Sequence, residues 1–209
     1  MVGYQLFYNL PIHPEGAKMF QKIVLFVFGV LFCQSVLAEE GDMFGQVFIV
    51  SHTGWETFSQ ELYIEREVTD GISIFGNVYS DGDVSELLLG VAKTLGDVQV
   101  GLGGGVSRYD DTLHPIVLPW VWYGDDHYTA YFEAEYYFGE EEDPWWYRGY
   151  GHRTIGSTLF FAGVYGEKDV GVGPLIGWSP TEQLKIFGAV PVLGTSDAGV
   201  ILQLELSWD

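Results

Sequence analysis

The carboxylates of this chain are spaced for chemistry in an enclosed space. Across Asp126 to Phe138, Glu133 and Glu135 share one face with His127, Thr129, Tyr131 and Tyr137. Tyr128, Ala130, Phe132, Ala134, Tyr136 and Phe138 form the other face. Such two-residue phasing belongs to an extended strand. It recurs for Glu61 and Glu65 against Leu62, Ile64 and Arg66, for Glu86 against Leu87, Leu89 and Val91, and for Glu205 against Leu204 and Leu206. If Glu61, Glu65, Glu86, Glu133, Glu135 and Glu205 line one enclosed surface, with Arg66, Arg148 and Lys185 as local partners and Arg108 and Arg153 as further ones, that surface favours cations and neutral solutes. If the same charges pair with each other and with tyrosines, they fill a small lumen and nothing passes.

Other groups carry weaker signals. Asp125 and His127 lie two apart, as an acid and base pair would need, with His152 and Ser157 as conceivable partners. No recognisable hydrolase motif surrounds them, and no enzyme activity is expected. The acidic run Glu140, Glu141, Glu142, Asp143 offers oxygen ligands for loosely bound divalent cations, although an acidic turn is ordinarily a solvated loop. Gly103 to Gly105 precede neither a Lys-Ser/Thr pair nor a helix, so they mark a bend or a close strand contact rather than a phosphate loop. No zinc spacing and no cofactor motif is present, and the expectation is no cofactor.

Strands must position these residues. Turn clusters punctuate the chain at short, even intervals, and no stretch shows a 3.6-residue period. The spacing predicts strands over 43–51, 55–68, 71–80, 84–94, 97–108, 114–123, 127–138, 145–153, 157–165, 169–179, 183–193 and 198–208. The segment 114–123 carries Pro115 and Pro119 and is apolar on both faces, and 145–153 could run on into 157–165. Twelve strands is the direct reading, and eight to ten the alternative.

The N-terminal region reads as an address. Residues 1–18 form an upstream extension. Residues 19–38 follow the signal-peptide plan, with Lys18 and Lys22, an apolar stretch from Ile23 to Phe32, and Val36-Leu-Ala38 before Glu39. That stretch is about half of what a spanning helix needs. Cleavage after Ala38 removes Cys33, the single cysteine, and leaves 39–209 as one β domain. Glu15, Lys18 and Lys22 leave with it, so 28 acids face 7 Lys and Arg, a net charge of −21 in place of −20. Nucleic acid is a poor partner for such a chain, and cations are good ones.

Charged residues make up only 18% and aromatics 16%. A secreted chain so oily, without a helical span, must hide its apolar residues in a core or place them on a barrel wall. The closing strand shows which. Ala198, Val200, Leu202, Leu204, Leu206 and Trp208 alternate with Gly199, Ile201, Gln203, Glu205 and Ser207 before Asp209. With its signal peptide, alternating strands and near-terminal aromatic, the chain resembles a small bacterial outer-membrane β-barrel; Asp209 departs from that family's terminal aromatic.

The resemblance implies an all-β, antiparallel, up-and-down transmembrane barrel in the outer membrane after Sec-dependent export. It also implies contact with outer-membrane lipid and lipopolysaccharide, and insertion by the barrel-assembly machinery. Trp55, Trp145, Trp146, Trp178 and Trp208, with Tyr79, Tyr109, Trp120, Trp122, Tyr123, Tyr147 and Tyr165, are then expected in interfacial girdles. A porin-like passive channel for small solutes is the leading functional expectation. A closed structural or adhesive barrel comes second, and a soluble periplasmic β-barrel or sandwich binder third.

Overall fold

The computed structural model describes residues 43–52, 58–81, 84–109, 112–140, 143–156, 158–194 and 200–208. Trp55, Ser157, Glu141, Glu142, the signal segment and the upstream extension lie outside the described residues. Twelve strands form: β1 (Met43–His52), β2 (Phe58–Thr69), β3 (Ile72–Ser80), β4 (Val84–Leu95), β5 (Val98–Tyr109), β6 (Thr112–Gly124), β7 (Tyr128–Tyr137), β8 (Trp145–Thr154), β9 (Phe160–Glu167), β10 (Gly171–Thr181), β11 (Leu184–Ala189) and β12 (Ile201–Trp208). Each pairs antiparallel with its sequence neighbours, and β12 closes on β1 through Gly45↔Trp208 to His52↔Ile201. Among the described residues closure leaves no strand without two partners.

Both of the least regular predicted segments, 114–123 and 145–153, are strands. β6 accommodates Pro115 and Pro119 and still pairs with β5 from Val98↔Tyr123 to Tyr109↔Thr112. The predicted strand 183–193 is shorter, ending at Ala189. Beyond it Val190 and Val192 donate to the carbonyls of Pro174 and Val172, while Pro191 has no N–H to continue the ladder. At the end where β1 begins, called the near end, Asp70-Gly71 and Gly96-Asp97 make tight turns, with Gly71 and Gly96 at φ 67° and 65°. The opposite end is called the far end.

The outer wall is apolar. Leu87, Leu89, Val91, Leu102, Phe132, Val164, Ile176, Leu202 and Leu204 are all exposed there. Buried polar residues, including Glu61, Glu86, Glu133, Arg148, Gln203 and Glu205, lie on the alternate, inward face. A soluble sandwich has the opposite arrangement, so the chain is built for apolar surroundings. Strict alternation along 169–179 predicts Val170 outward with Val172, and Val170 is instead buried inside. Asp169 and Gly171 both adopt positive φ on either side of it, and the turn breaks the alternation.

The interior is not purely polar. Phe75, Leu88, Ala92, Ile116, Leu118 and Trp120 pack along β3–β6. Phe161, Leu175, Phe187, Ala189 and Ile201, with Val50 and Tyr165, pack on the opposite side. Glycines make room for the rings. A Cβ at Gly101 would come within 2.1 Å of the Trp120 ring, and one at Gly177 within 2.1 Å of Phe161. On β5, Gly101 thus lies beneath Trp120 and Gly103 beneath Phe75, whereas a Cβ at Gly105 would meet the Leu87 backbone, a close strand contact.

Candidate functional site

Two chambers lie inside the barrel, with a charged waist between them. The near chamber, of about 370 Å³, is bounded among others by Gln46, Glu65, Gln99, Trp122, Lys185 and Glu205. The far chamber, of about 160 Å³, is bounded by Asn77, Tyr79, Glu86, Glu135, Tyr137 and Trp146 among others. Glu61 borders both.

At the waist, Arg148 Nη2 sits 2.8 Å from Glu61 Oε2 and 2.5 Å from Glu133 Oε1. These three side chains are 8%, 7% and 2% exposed, so their ion pairs stand in place of hydration. β7 and β8 bring Glu133 and Arg148 directly opposite each other across one ladder. Asn77 on β3 donates from Nδ2 to Glu61 Oε1 at 2.6 Å, and Tyr131 donates to Glu133 Oε2 at 2.6 Å. Arg148 also lies 5.5 Å from the Trp146 ring centroid.

The remaining carboxylates each have at least one hydrogen-bond partner. Glu65 accepts from Tyr63 and from Gln99 Nε2, each at 2.6 Å. Glu205 accepts from Gln46 Nε2 at 2.5 Å and faces Lys185 Nζ at 3.2 Å. Tyr137 bonds Glu86 at 3.0 Å and also Glu135. Six buried inward carboxylates thus meet two basic side chains, Arg148 and Lys185, among the described residues.

A spacing rule unites many of these bonds. Tyr63–Glu65, Tyr79–Asp81, Tyr123–Asp125, Tyr131–Glu133 and Tyr165–Glu167 all pair a tyrosine with the acid two residues later, and Glu135–Tyr137 reverses the order. Two strand residues span about 6.6 Å, roughly the reach of a tyrosine laid along its own strand. The signal, Tyr-x-Asp/Glu, is visible in the sequence: alternation sets Tyr131 and Tyr137 on the face of Glu133 and Glu135, whereas Tyr79, Tyr123 and Tyr165 read as girdle residues.

Several expected positions change. Arg66, expected as a lumen partner, lies on the exposed outer face in phase with Leu62 and Ile64, as do Arg108 and Arg153 on their strands. All three sit near strand ends, where a long basic side chain can keep its charge in water while its stem lies against the apolar wall. Arg153 lies 5.3 Å from the Tyr128 ring centroid. Trp146, Trp120, Trp122, Tyr79 and Tyr165, expected in the girdles, face inward. Trp145 and Trp178 are exposed on the outside near opposite ends of the barrel. Trp208, also on the outer face, covers Gly45, where an added Cβ would meet its ring at 2.1 Å.

The outlying candidates have structural partners. Asp125 accepts the His127 and Tyr128 N–H groups at 2.7 Å each and also bonds the Tyr123 hydroxyl. The Tyr123 hydroxyl, followed by those two amides, holds its carboxyl below the usual carboxylate range. It works as a turn cap. His152 packs in the lumen against Phe161, with ring centroids 4.2 Å apart. In the acidic turn, Glu140 faces His114 at 3.5 Å and Asp143 faces Lys168 at 2.5 Å. Among the described residues no group of three or more His, Cys, Asp or Glu is arranged to hold a metal ion.

No protein-family model and no curated protein matches the chain. Solved structures do. A chain from work on the mechanism behind the in-meso crystallization of membrane proteins is similar at 9% identity, covering 79% of this chain and 83% of that one, with a TM-score of 0.57. The KdgM porin in complex with disordered oligogalacturonate is similar at 8% identity, covering 79% and 98%, with a TM-score of 0.50. At such identities the likeness is one of fold alone, a closed barrel of antiparallel strands.

Proposed function

We propose that this chain is an outer-membrane barrel that passes small cationic or neutral solutes slowly through a narrow lumen. The observation that carries the reading is the charge of the conduit: six buried inward carboxylates against Arg148 and Lys185, along two chambers that meet at Glu61. Glu61 and Glu133 outnumber Arg148 even at the waist, so by formal charge a cation meets a net negative constriction and an anion is repelled. A polyanion such as the ligand of the KdgM complex is poorly suited to these walls. The apolar outer wall supports insertion in a membrane, and the signal-like segment 19–38 supports Sec-dependent export followed by insertion through the barrel-assembly machinery. The acidic turn at Glu140 and Asp143 suits loosely held divalent cations that bridge to lipopolysaccharide phosphates.

The test is conductance across planar bilayers. Small single-channel steps, with a reversal potential in a KCl gradient that shows cation preference, are expected. A cation-neutral or anion-preferring reversal potential would overturn the selectivity.

A second reading, a closed structural or adhesive barrel, is favoured by one observation: Arg148 fills the waist with both its ion pairs buried. Absence of conductance in both the wild type and an Arg148→Ala variant that folds would establish that reading over the channel.

A further inference from the structure

The far chamber is rich in hydrogen-bond acceptors and short of donors. Tyr137 has one hydroxyl hydrogen and two carboxyl partners, Glu86 at 3.0 Å and Glu135. It can donate to one of them only. The buried Ser107 hydroxyl lies beside Glu86 as a further donor, so the two carboxyls have two hydroxyl hydrogens for four oxygen atoms. The nearest basic group bordering the chamber, Arg148, is held by Glu61 and Glu133.

A second, separate feature points into the same space. Asn77 is 5% exposed and borders the chamber, and its Oδ1 accepts no hydrogen bond. Its amide orientation is set from the other side, because Nδ2 donates to Glu61 at 2.6 Å. An acceptor is therefore buried without a donor, which is costly unless something fills the role. The chamber thus presents oxygen acceptors from Asn77, Glu86 and Glu135 with too few hydrogens among them.

We propose that the far chamber binds a small organic ammonium ion, whose N–H groups donate to Glu86, Glu135 and Asn77 Oδ1. The chamber's 160 Å³ corresponds to roughly five waters at about 30 Å³ each, space for an ammonium head with a short alkyl chain. Tyr79 and Trp146 supply aromatic walls that suit such a cation. A bare metal ion fits less well, since no chelating group of three ligands is present among the described residues. The inference deepens the cation-preferring reading of the lumen but is read out by binding. Binding without conductance would sink the channel and leave the site standing, and conductance without binding would do the reverse.

The experiment is calorimetric titration of the mature protein, folded in detergent micelles, with ethylammonium chloride; sodium chloride and ethanol serve as controls. Saturable one-site binding of ethylammonium is expected. Affinity should fall at least tenfold in the E86Q/E135Q double variant and stay unchanged in E140Q at the outer turn. No saturable binding by the wild type, or undiminished binding by the double variant, would overturn the site, and equal displacement by sodium would overturn the organic assignment. Should the double variant fail to fold, Y137F provides the second test. It removes the one hydrogen already shared between the two carboxyls, so ethylammonium should bind several-fold more tightly; unchanged or weaker binding would overturn the proposal.

Discussion

Replacing Arg148 by Ala should destabilise the barrel by about 3–5 kcal/mol, the usual consequence of leaving buried charges without their partner. The magnitude follows from the waist. Arg148 reaches Glu61 at 2.8 Å and Glu133 at 2.5 Å, and the two acids are 7% and 2% exposed. One unit pair about 4 Å apart is worth roughly 4 kcal/mol at an effective dielectric near 20. Two such attractions are lost together, while desolvation and mutual repulsion of the acids remain. Asn77 and Tyr131 still donate to them, which softens the loss. The sign should reverse when the charges leave together: R148M combined with E61Q and E133Q should be close to neutral or stabilising by about 1–4 kcal/mol. Urea unfolding in lipid vesicles, followed by tryptophan fluorescence, measures both. A single variant as stable as the wild type, or a triple variant weaker than the single, would refute the account of the waist as an interdependent charge cluster.

Other consequences are open to measurement. Leu89→Arg, at the middle of the outer face of β4, should cost about 2–4 kcal/mol in vesicles, whereas a soluble barrel would tolerate it; equal stability in vesicle-unfolding titrations would count against a lipid-facing wall. Gly101→Val should drive a side chain into the Trp120 ring and cost about 1–3 kcal/mol, seen as a lower urea midpoint with altered tryptophan emission. Asp125 has a depressed folded-state pKa, so its contribution is present above the ordinary aspartate range and is lost as pH falls through the depressed value. Hydrogen exchange at the His127 and Tyr128 amides should therefore be faster in D125N than in wild type at neutral pH, and equal in the two once Asp125 is protonated. An unchanged neutral-pH rate would remove Asp125 from its capping role. Trp208→Ala should uncover Gly45 and weaken closure of β12 on β1, read as a lower temperature for the heat-induced mobility shift; an unchanged shift temperature would mean that the ring contributes nothing to closure.

The wall was legible in the sequence wherever a charge fixed the phase of a strand. Glu133 and Glu135 oriented β7, Glu86 oriented β4, and Glu205 oriented β12, because a charge has one tolerable side. Aromatic residues give no such phase. Tyrosine and tryptophan are stable at a lipid interface and equally stable over a glycine inside a barrel, so Trp120 and Trp146 could not be assigned by type alone. β6 carries no Asp, Glu, Lys or Arg, so nothing in its sequence marks Ile116, Leu118 and Trp120 as inward. Arg66 misled for a related reason: its strand neighbours placed it outside, and only its charge argued for the lumen. The waist itself depends on β2, β7 and β8 converging across the barrel, a distance relation that no local pattern records.

The tyrosines lying along their strands have a consequence for what the lumen offers a passing molecule. Each hydroxyl hydrogen is committed to a carboxylate two residues away, so the hydroxyl oxygens keep only lone pairs to present. Together with the carboxylates they make the walls rich in acceptors and poor in donors. Solutes would then be sorted by the hydrogens they can give as well as by charge. Urea, amides and polyols should pass more readily than ethers or tertiary amine oxides of the same size.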